Sequence, residues 1–262
     1  MIYINQDKFK NIKLLNNNFY VVIDFDKTLT DEKSLDSWDA SGNELDIKFK
    51  EESNALYKKY APIELDYNIC FEEKNKAMEE WYYSVIELFY KYHLTSNKLE
   101  QSVKTSDLIF RSGAKEFLYE MYKQNVPVII LSAGIGNVIE QFLKLNNIYF
   151  DNINIISNII EFDNNGDMKK NNGKLIHTLN KNVSSHITDK ISQKIKDKEY
   201  ILLFGDLVED INMIEQEKLN KAITIGFLNK NIEENFDFYK KNFDVVLTKE
   251  NATFQEVKKL LF

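Results

Sequence analysis

Apolar residues in this chain are arranged in two textures that alternate along it. Short unbroken runs recur at Phe19–Phe25, Val126–Leu131, Ile153–Ile156, Tyr200–Phe204, Ala222–Ile225 and Val245–Leu247. Runs of this kind suit strands buried on both faces, as in a parallel sheet. Helical patterns lie between them, at Ala114–Gln124, Asn137–Leu145 and Ile232–Lys241. Strands alternating with helices predict right-handed crossovers and a mostly parallel, doubly wound α/β sheet.

The alternation breaks once. From about residue 31 to 105 no buried strand is evident, and the pattern is helical instead. Leu45, Phe49, Leu56 and Tyr60 share one helical face, and Met78, Trp81, Val85 and Leu88 form a second stripe. Pro62 disfavours helix at Ala61, so a loop over Ala61–Ile69 is expected to join the two. The expected organisation is a core of residues 1–30 and 106–262, with an all-helical domain of residues 31–105 inserted after the first strand. Asp163–Asp167 (DNNGD) reads as a hairpin turn.

Composition narrows the function classes. The 262 residues are 44% hydrophobic and 29% charged, enough to bury a sizeable core. Lys+Arg 34 against Asp+Glu 41 leaves a net charge of −7, which argues against nucleic acid or an anionic membrane as partner. A phosphate-bearing small molecule stays open, because a metal and one lysine can supply local positive charge. Cys70 is the only cysteine, so neither an intrachain disulfide nor a cysteine-based zinc site can form. The N-terminus lacks a secretory apolar region and the longest apolar stretch is too short to span a bilayer. A cytoplasmic monomer is expected.

Four polar clusters follow predicted strands or helices. Asp24-Phe-Asp26-Lys-Thr28 ends the first strand, where alternate positions let Asp24 and Asp26 converge. Two close carboxylates repel unless a cation or a shared proton offsets them. An EF-hand reading fails, because Leu29 and Leu35 stand where Gly and Glu are required. Ser132-Ala133-Gly134-Ile135-Gly136 precedes a helix, where a hydroxyl and backbone amides make a phosphate seat. With Ile139 at the third glycine position, a dinucleotide fingerprint is incomplete. Lys181 is one basic residue among many. Asp206 and Asp210 flank the first turn of a later helix, where they either hold a hard cation or stabilise the helix N-terminus.

In that order, DxDxT, a strand-end Ser, a Lys and GDxxxD resemble the motif set of the haloacid dehalogenase superfamily, in its phosphatase branch. The resemblance implies a Rossmann-like core with a C1-type cap, and Mg²⁺-dependent phosphoryl transfer through an aspartyl-phosphate. Tyr60-Ala-Pro-Ile-Glu64-Leu-Asp66, Glu72-Glu-Lys74 and Glu80-Trp-Tyr82 are similar to the cap of the cytosolic 5′-nucleotidase III, or pyrimidine 5′-nucleotidase, family. Ser132–Gly136 (SAGIG) and Gly173–Lys181 (GKLIHTLNK) extend that similarity, which is weakest over residues 31–50. That family hydrolyses nucleoside 5′-monophosphates, chiefly CMP and UMP, and one branch prefers 7-methyl-GMP.

Carried onto this sequence, the resemblance makes Asp24 the nucleophile and a metal ligand, and Asp26 the general acid and base with its carbonyl on the metal. Ser132, the Ala133 amide and Lys181 would bind the phosphoryl group, with Asp206 and Asp210 completing the Mg²⁺ site. Glu64 would read the base. Trp81 and Tyr82 are either stacking partners of the base or core aromatics. Val85 stands where the family has a ligand-contacting serine, with Ser84 one residue early. His93, His177 and His186 have no metal-ligand spacing and read as structural or surface residues. Rival readings are another capped phosphatase such as a phosphoserine phosphatase, phosphotransfer to a nucleoside, and an inactive binding module. A phosphoserine phosphatase needs a cationic cap residue, and Arg111, the only arginine, falls after the expected cap.

Overall fold

The computed structural model describes residues 1–9, 18–66, 68–170 and 173–261. Its strands are β1 (Ile2–Ile4), β2 (Phe19–Ile23), β3 (Val128–Ile135), β4 (Ile153–Asn158), β5 (Tyr200–Gly205), β6 (Ala222–Leu228) and β7 (Val245–Thr248). They form one sheet in the order β1-β7-β6-β5-β2-β3-β4. All neighbours are parallel except β1, which pairs antiparallel with β7 and closes that edge. A run of three residues is too short to stand out as a strand, so β1 was not expected.

Side-chain alternation divides the core into two faces. Val21, Ile23, Val128, Ile130, Leu202 and Phe204 point into one cluster, and Tyr20, Val22, Ile129, Leu131, Ile201 and Leu203 into the other. Helices α6 (Ala114–Lys123), α7 (Gly136–Leu145) and α11 (Phe254–Leu261) cover the first face through Phe117, Phe142 and Phe254. Helices α9 (Asp189–Ile195) and α10 (Ile232–Asn242) cover the second through Ile191 and Tyr239, and α1 (Gln6–Phe9) and α8 (Val183–His186) are single turns.

Strand order reverses at β2, which lies between β5 and β3. The chain therefore leaves β2 towards one side of the sheet and returns to build the other. Such a switch point opens a crevice at the carboxyl ends of the strands, where ligands bind in open α/β sheets.

Between β2 and β3 the chain is helical, as expected: α2 (Ser37–Ser41), α3 (Ile47–Leu65), α4 (Phe71–Lys91) and α5 (Ser96–Thr105). Phe49, Tyr82 and Phe89 belong to the same buried cluster as the first sheet face, so the insert is packed onto the core. The expected break at Ala61 is absent. Helix α3 runs through Pro62 to Leu65, because tertiary contacts outweigh the preference against helix before proline. Tyr60 stacks on Trp81 of α4 with ring centroids 6.0 Å apart, and Lys74 Nζ donates to the Glu64 carbonyl at 2.9 Å. Tyr67, within the expected loop, lies outside the described residues. The turn at Asp163–Asp167 forms, with Gly166 at φ 84° and Asp163 N donating to Asp167 O at 2.9 Å.

Candidate active site

Asp24 follows the last residue of β2, and its backbone N–H donates to Phe204 O of β5 at 3.1 Å. The next residues form a tight turn in which Lys27 adopts φ 60°, a left-handed conformation that side chains disfavour. Lys27 N donates to Thr30 Oγ1 at 2.9 Å, and Thr30 N to Phe25 O at 3.0 Å. The Lys27 carbonyl accepts from the Arg111 guanidinium and from Asn229 Nδ2. Arg111 also donates to Thr28 O at 2.8 Å, Ala252 O at 3.0 Å and Asn229 Oδ1 at 3.1 Å, and lies over the Phe227 ring. The only arginine is thus a buried clamp on the turn that carries Asp24 and Asp26. Neither it nor Asn229 was evident as a site support in the sequence, because both act on backbone carbonyls and leave no motif.

Strand β3 runs further than the apolar run suggested, through Ser132-Ala133-Gly134 to Ile135, with a register shift against β4 between Leu131 and Ile135. That irregularity separates this segment from the regular ladder. Ser132 Oγ accepts from Gly134 N at 2.9 Å, and the Ala133 carbonyl accepts from Trp38 Nε1 at 3.2 Å and Asn158 Nδ2 at 2.8 Å. At the end of β5, Asp210 Oδ2 accepts from both the Asp206 and Leu207 amides at 3.0 Å. This turn draws the Asp210 carboxylate back over the strand end, while that of Asp206 accepts from Thr28 Oγ1 at 3.4 Å and Asn229 Nδ2 at 3.3 Å.

Lys181 is buried, and its Nζ donates to Asp24 Oδ1 and, at 2.8 Å, to Asp210 Oδ1. One carboxylate oxygen from each of Asp24, Asp206 and Asp210 lies within 4.8 Å of the others. Two buried carboxylates and the half-buried Asp206 against one ammonium leave a negative surplus. Burial and the neighbouring carboxylates push Asp206 well above the usual carboxylate range, and burial raises Asp24 to about 6 despite Lys181. Lys181 is held protonated by Asp210 and Asp24 although burial opposes its charge. An all-oxygen donor set with surplus negative charge fits a hard divalent cation.

Asp26 lies beside this cluster. Its Oδ1 accepts from Ser37 N at 2.8 Å and its Oδ2 from Ser37 Oγ at 2.6 Å. Burial, Asp36 and Asp24 raise it to about 8, against the two bonds from Ser37.

The insert supplies the rest of the wall. Glu64 sits on the last turn of α3 and not on a loop. Its Oε1 accepts from Thr178 Oγ1 at 3.0 Å, and burial raises its carboxyl to about 7. All eight residues singled out by motif (Asp24, Asp26, Glu64, Ser132, Ala133, Lys181, Asp206, Asp210) line one cavity of about 400 Å³. Trp81, Tyr82 and Val85 line it too. Ser84 turns away, donating to Glu80 O at 2.6 Å. Trp81 stacks on Tyr60 and meets Tyr82 edge-on, so it serves the core of the insert and the cavity at once. Among the remaining lining residues are Asp36, Trp38, Asp39, Tyr57 and Thr178. Asp36, Trp38 and Asp39 fall in residues 31–50, where the family similarity is weakest; Thr178 lies inside the GKLIHTLNK stretch but was not singled out there. His177 is buried and neutral, pushed down to about 4 by burial, with its ring 6.1 Å from that of Tyr82.

A doubly wound sheet with aspartates, a serine and a lysine gathered at its switch point, under a helical insert, defines a phosphomonoester hydrolase of the haloacid dehalogenase type. The chain belongs to the pyrimidine 5′-nucleotidase (UMPH-1) family, whose sequence profile matches residues 27–262. It is 33% identical over 239 residues to a 7-methylguanosine phosphate-specific 5′-nucleotidase of Gallus gallus, covering 87% of this chain and 81% of the relative. A Homo sapiens protein of the same name is 32% identical over 240 residues, covering 88% and 80%. Cytosolic 5′-nucleotidase IIIB, solved with cytidine bound, superimposes with a TM-score of 0.84 at 25% identity, over 99% of this chain and 92% of that one. A substrate-bound phosphoserine phosphatase shares the fold, with a TM-score of 0.60 at 21% identity over 93% and 98%. The protein is a 5′-nucleotidase that hydrolyses nucleoside monophosphates.

Proposed function

We propose that the protein hydrolyses nucleoside 5′-monophosphates of the CMP and UMP type to nucleoside and phosphate, with Asp24 as nucleophile. The observation that carries this reading is one cavity holding both the carboxylate–lysine cluster and the insert's Glu64. In the first step Asp24 attacks phosphorus, the P–O5′ bond breaks, and Asp26 gives its proton to the leaving oxygen. In the second step Asp26 takes a proton from water as water attacks the aspartyl-phosphate, which releases phosphate and restores Asp24. General acid–base help of this kind contributes roughly 10²–10⁴-fold. Ser132 and the Ala133 amide hold phosphoryl oxygens, and Lys181 neutralises charge on them.

Asp24, the Asp26 carbonyl, Asp206 and Asp210 would hold Mg²⁺, which supplies Lewis-acid shielding of the phosphoryl charge when bound. Residues 31–105 act as the cap that closes over the substrate, with Glu64 hydrogen-bonding the base and the protein working as a cytoplasmic monomer. Among the described residues no helix is long and apolar enough to cross a membrane.

A second reading for the base is 7-methylguanine. Relatives specific for 7-methylguanosine phosphate favour it, as does a wall that combines Trp38, Tyr57 and Trp81 with Asp36, Asp39 and Glu64. Aromatic faces and carboxylates suit a cationic ring. Phosphate release from CMP, UMP, AMP, GMP, 7-methyl-GMP, phosphoserine and an aryl phosphate, with and without Mg²⁺, tests both. CMP and UMP should lead, and a chelator should stop turnover reversibly. Dominance of 7-methyl-GMP replaces the pyrimidine assignment with the second reading. Aryl-phosphate turnover without nucleotide turnover removes both.

A further inference from the structure

Ser37 belongs to the helical insert, yet both of its hydrogen-bond donors end on a carboxylate of the core. Its backbone N–H goes to Asp26 Oδ1 at 2.8 Å and its hydroxyl to Asp26 Oδ2 at 2.6 Å. The hydroxyl oxygen accepts in turn from Ile135 N, at the end of β3, at 3.2 Å. Ser37 is fully buried, and its carbonyl accepts from Ser41 Oγ at 2.7 Å within α2. The fit is close on the third side as well. A side chain at Gly134 would collide with the Ser37 hydroxyl and approach Asp26 Oδ2 within 2.7 Å. Three segments distant in sequence thus converge on one hydroxyl, and the result is a single orientation for the Asp26 carboxyl group.

A carboxylate that rotates freely spends little time aimed at a leaving oxygen, so fixing its plane raises the rate of proton transfer. Two donors from one residue, one to each oxygen, fix that plane and leave the second position on each oxygen, one of which carries the proton, for the cavity side. Resting on the reading of Asp26 as general acid, we propose that Ser37 is the positioning residue for proton transfer to the leaving group. The insert therefore completes the acid–base apparatus as well as enclosing the substrate.

Leaving-group dependence tests the idea, because a merely structural role would lower all substrates alike. A nucleoside leaves as an alkoxide that needs a proton, whereas 4-nitrophenolate leaves as a stable anion. Values of kcat/KM report the first phosphoryl transfer and are compared for the nucleoside monophosphate turned over fastest and for 4-nitrophenyl phosphate. Ser37→Ala should lose about 10-fold on the nucleotide, with its KM nearly unchanged, and less than about twofold on the aryl ester. Ser37→Thr and Ser37→Val, equal in shape, should differ in the same sense, with the hydroxyl-bearing variant close to the parent. Equal losses on both substrates, or no loss on the nucleotide, overturn the proposal. Asp26→Asn separates the two levels. If it discriminates between the substrates and Ser37→Ala does not, positioning by Ser37 fails alone. If Asp26→Asn itself loses equally on both, the general-acid reading falls and the proposal falls with it.

Discussion

The two walls of the cavity are built by different physics. On the core side, Asp24 and Asp206 follow β2 and β5, Ser132 lies in the irregular second half of β3, and Lys181 joins Asp24 to Asp210. Their places follow from strand register and from backbone hydrogen bonds, such as the two amides that hold Asp210. On the insert side, Trp38, Glu64 and Trp81 stand on helices, and few bonds tie them to the core. Trp38 donates to Ala133 O at 3.2 Å, Glu64 accepts from Thr178 at 3.0 Å, and Tyr83 donates to Gly173 O at 3.1 Å. A sheet end gives the polar cluster a frame of backbone ladders, while the insert's cavity residues are placed by helix packing against the core and by side-chain ties such as Ser37 to Asp26.

That contrast can be broken most severely at Asp24. Asp24→Asn should lower turnover about 10⁴-fold with the fold intact by circular dichroism, since the proposed reaction uses this carboxylate as the attacking group. Activity surviving at a tenth of the parent would remove the covalent route. Arg111→Met comes next. Losing a buried guanidinium that serves four acceptors should destabilise the chain by about 3 kcal/mol, read as a lower denaturant midpoint. A midpoint within about 0.5 kcal/mol of the parent would show that the turn holds itself.

On the insert side the effects should be smaller and selective. Glu64→Ala should cost the preferred nucleotide about 10- to 100-fold in kcat/KM, the range of one charge-assisted hydrogen bond. An aryl phosphate should change by less than about threefold. Equal losses would make Glu64 structural and merge the two walls into one.

The smallest effect is a pH dependence. Glu64 is raised from 4.5 to about 7 by burial, so the folded chain binds more protons than the unfolded chain between those values. Stability attributable to this group is therefore highest below pH 4.5 and falls as the pH rises towards 7. Glu64→Gln removes the dependence. Relative to it, the parent should lose a few degrees of melting temperature across that interval, and a constant difference would show that Glu64 ionises freely.

Much of this was legible in the linear chain. The apolar runs marked β2 to β7, and the ordered motifs singled out eight residues that line one cavity. Legibility failed where one element acts on another's backbone. Pro62 argued for a loop, but α3 continues because Tyr60 packs on Trp81 and Lys74 takes the Glu64 carbonyl. Ser84 and Val85 differ by one residue in sequence and by about 100° around a helix, and only packing selects Val85 for the cavity.

By itself, then, the order of hydrophobic runs and strand-end polar residues determined the sheet class and singled out the carboxylates, serine and lysine that line the cavity, because strand periodicity and turn position are local properties. Which residues share the Asp26 carboxylate, what the single arginine clamps and which helical face lines the cavity were decided by tertiary structure alone. Those contacts join Ser37 to Asp26, Arg111 to Asn229 and Glu64 to Thr178. Contacts between such distant residues carry no periodicity, and they exist only once burial has brought the segments together.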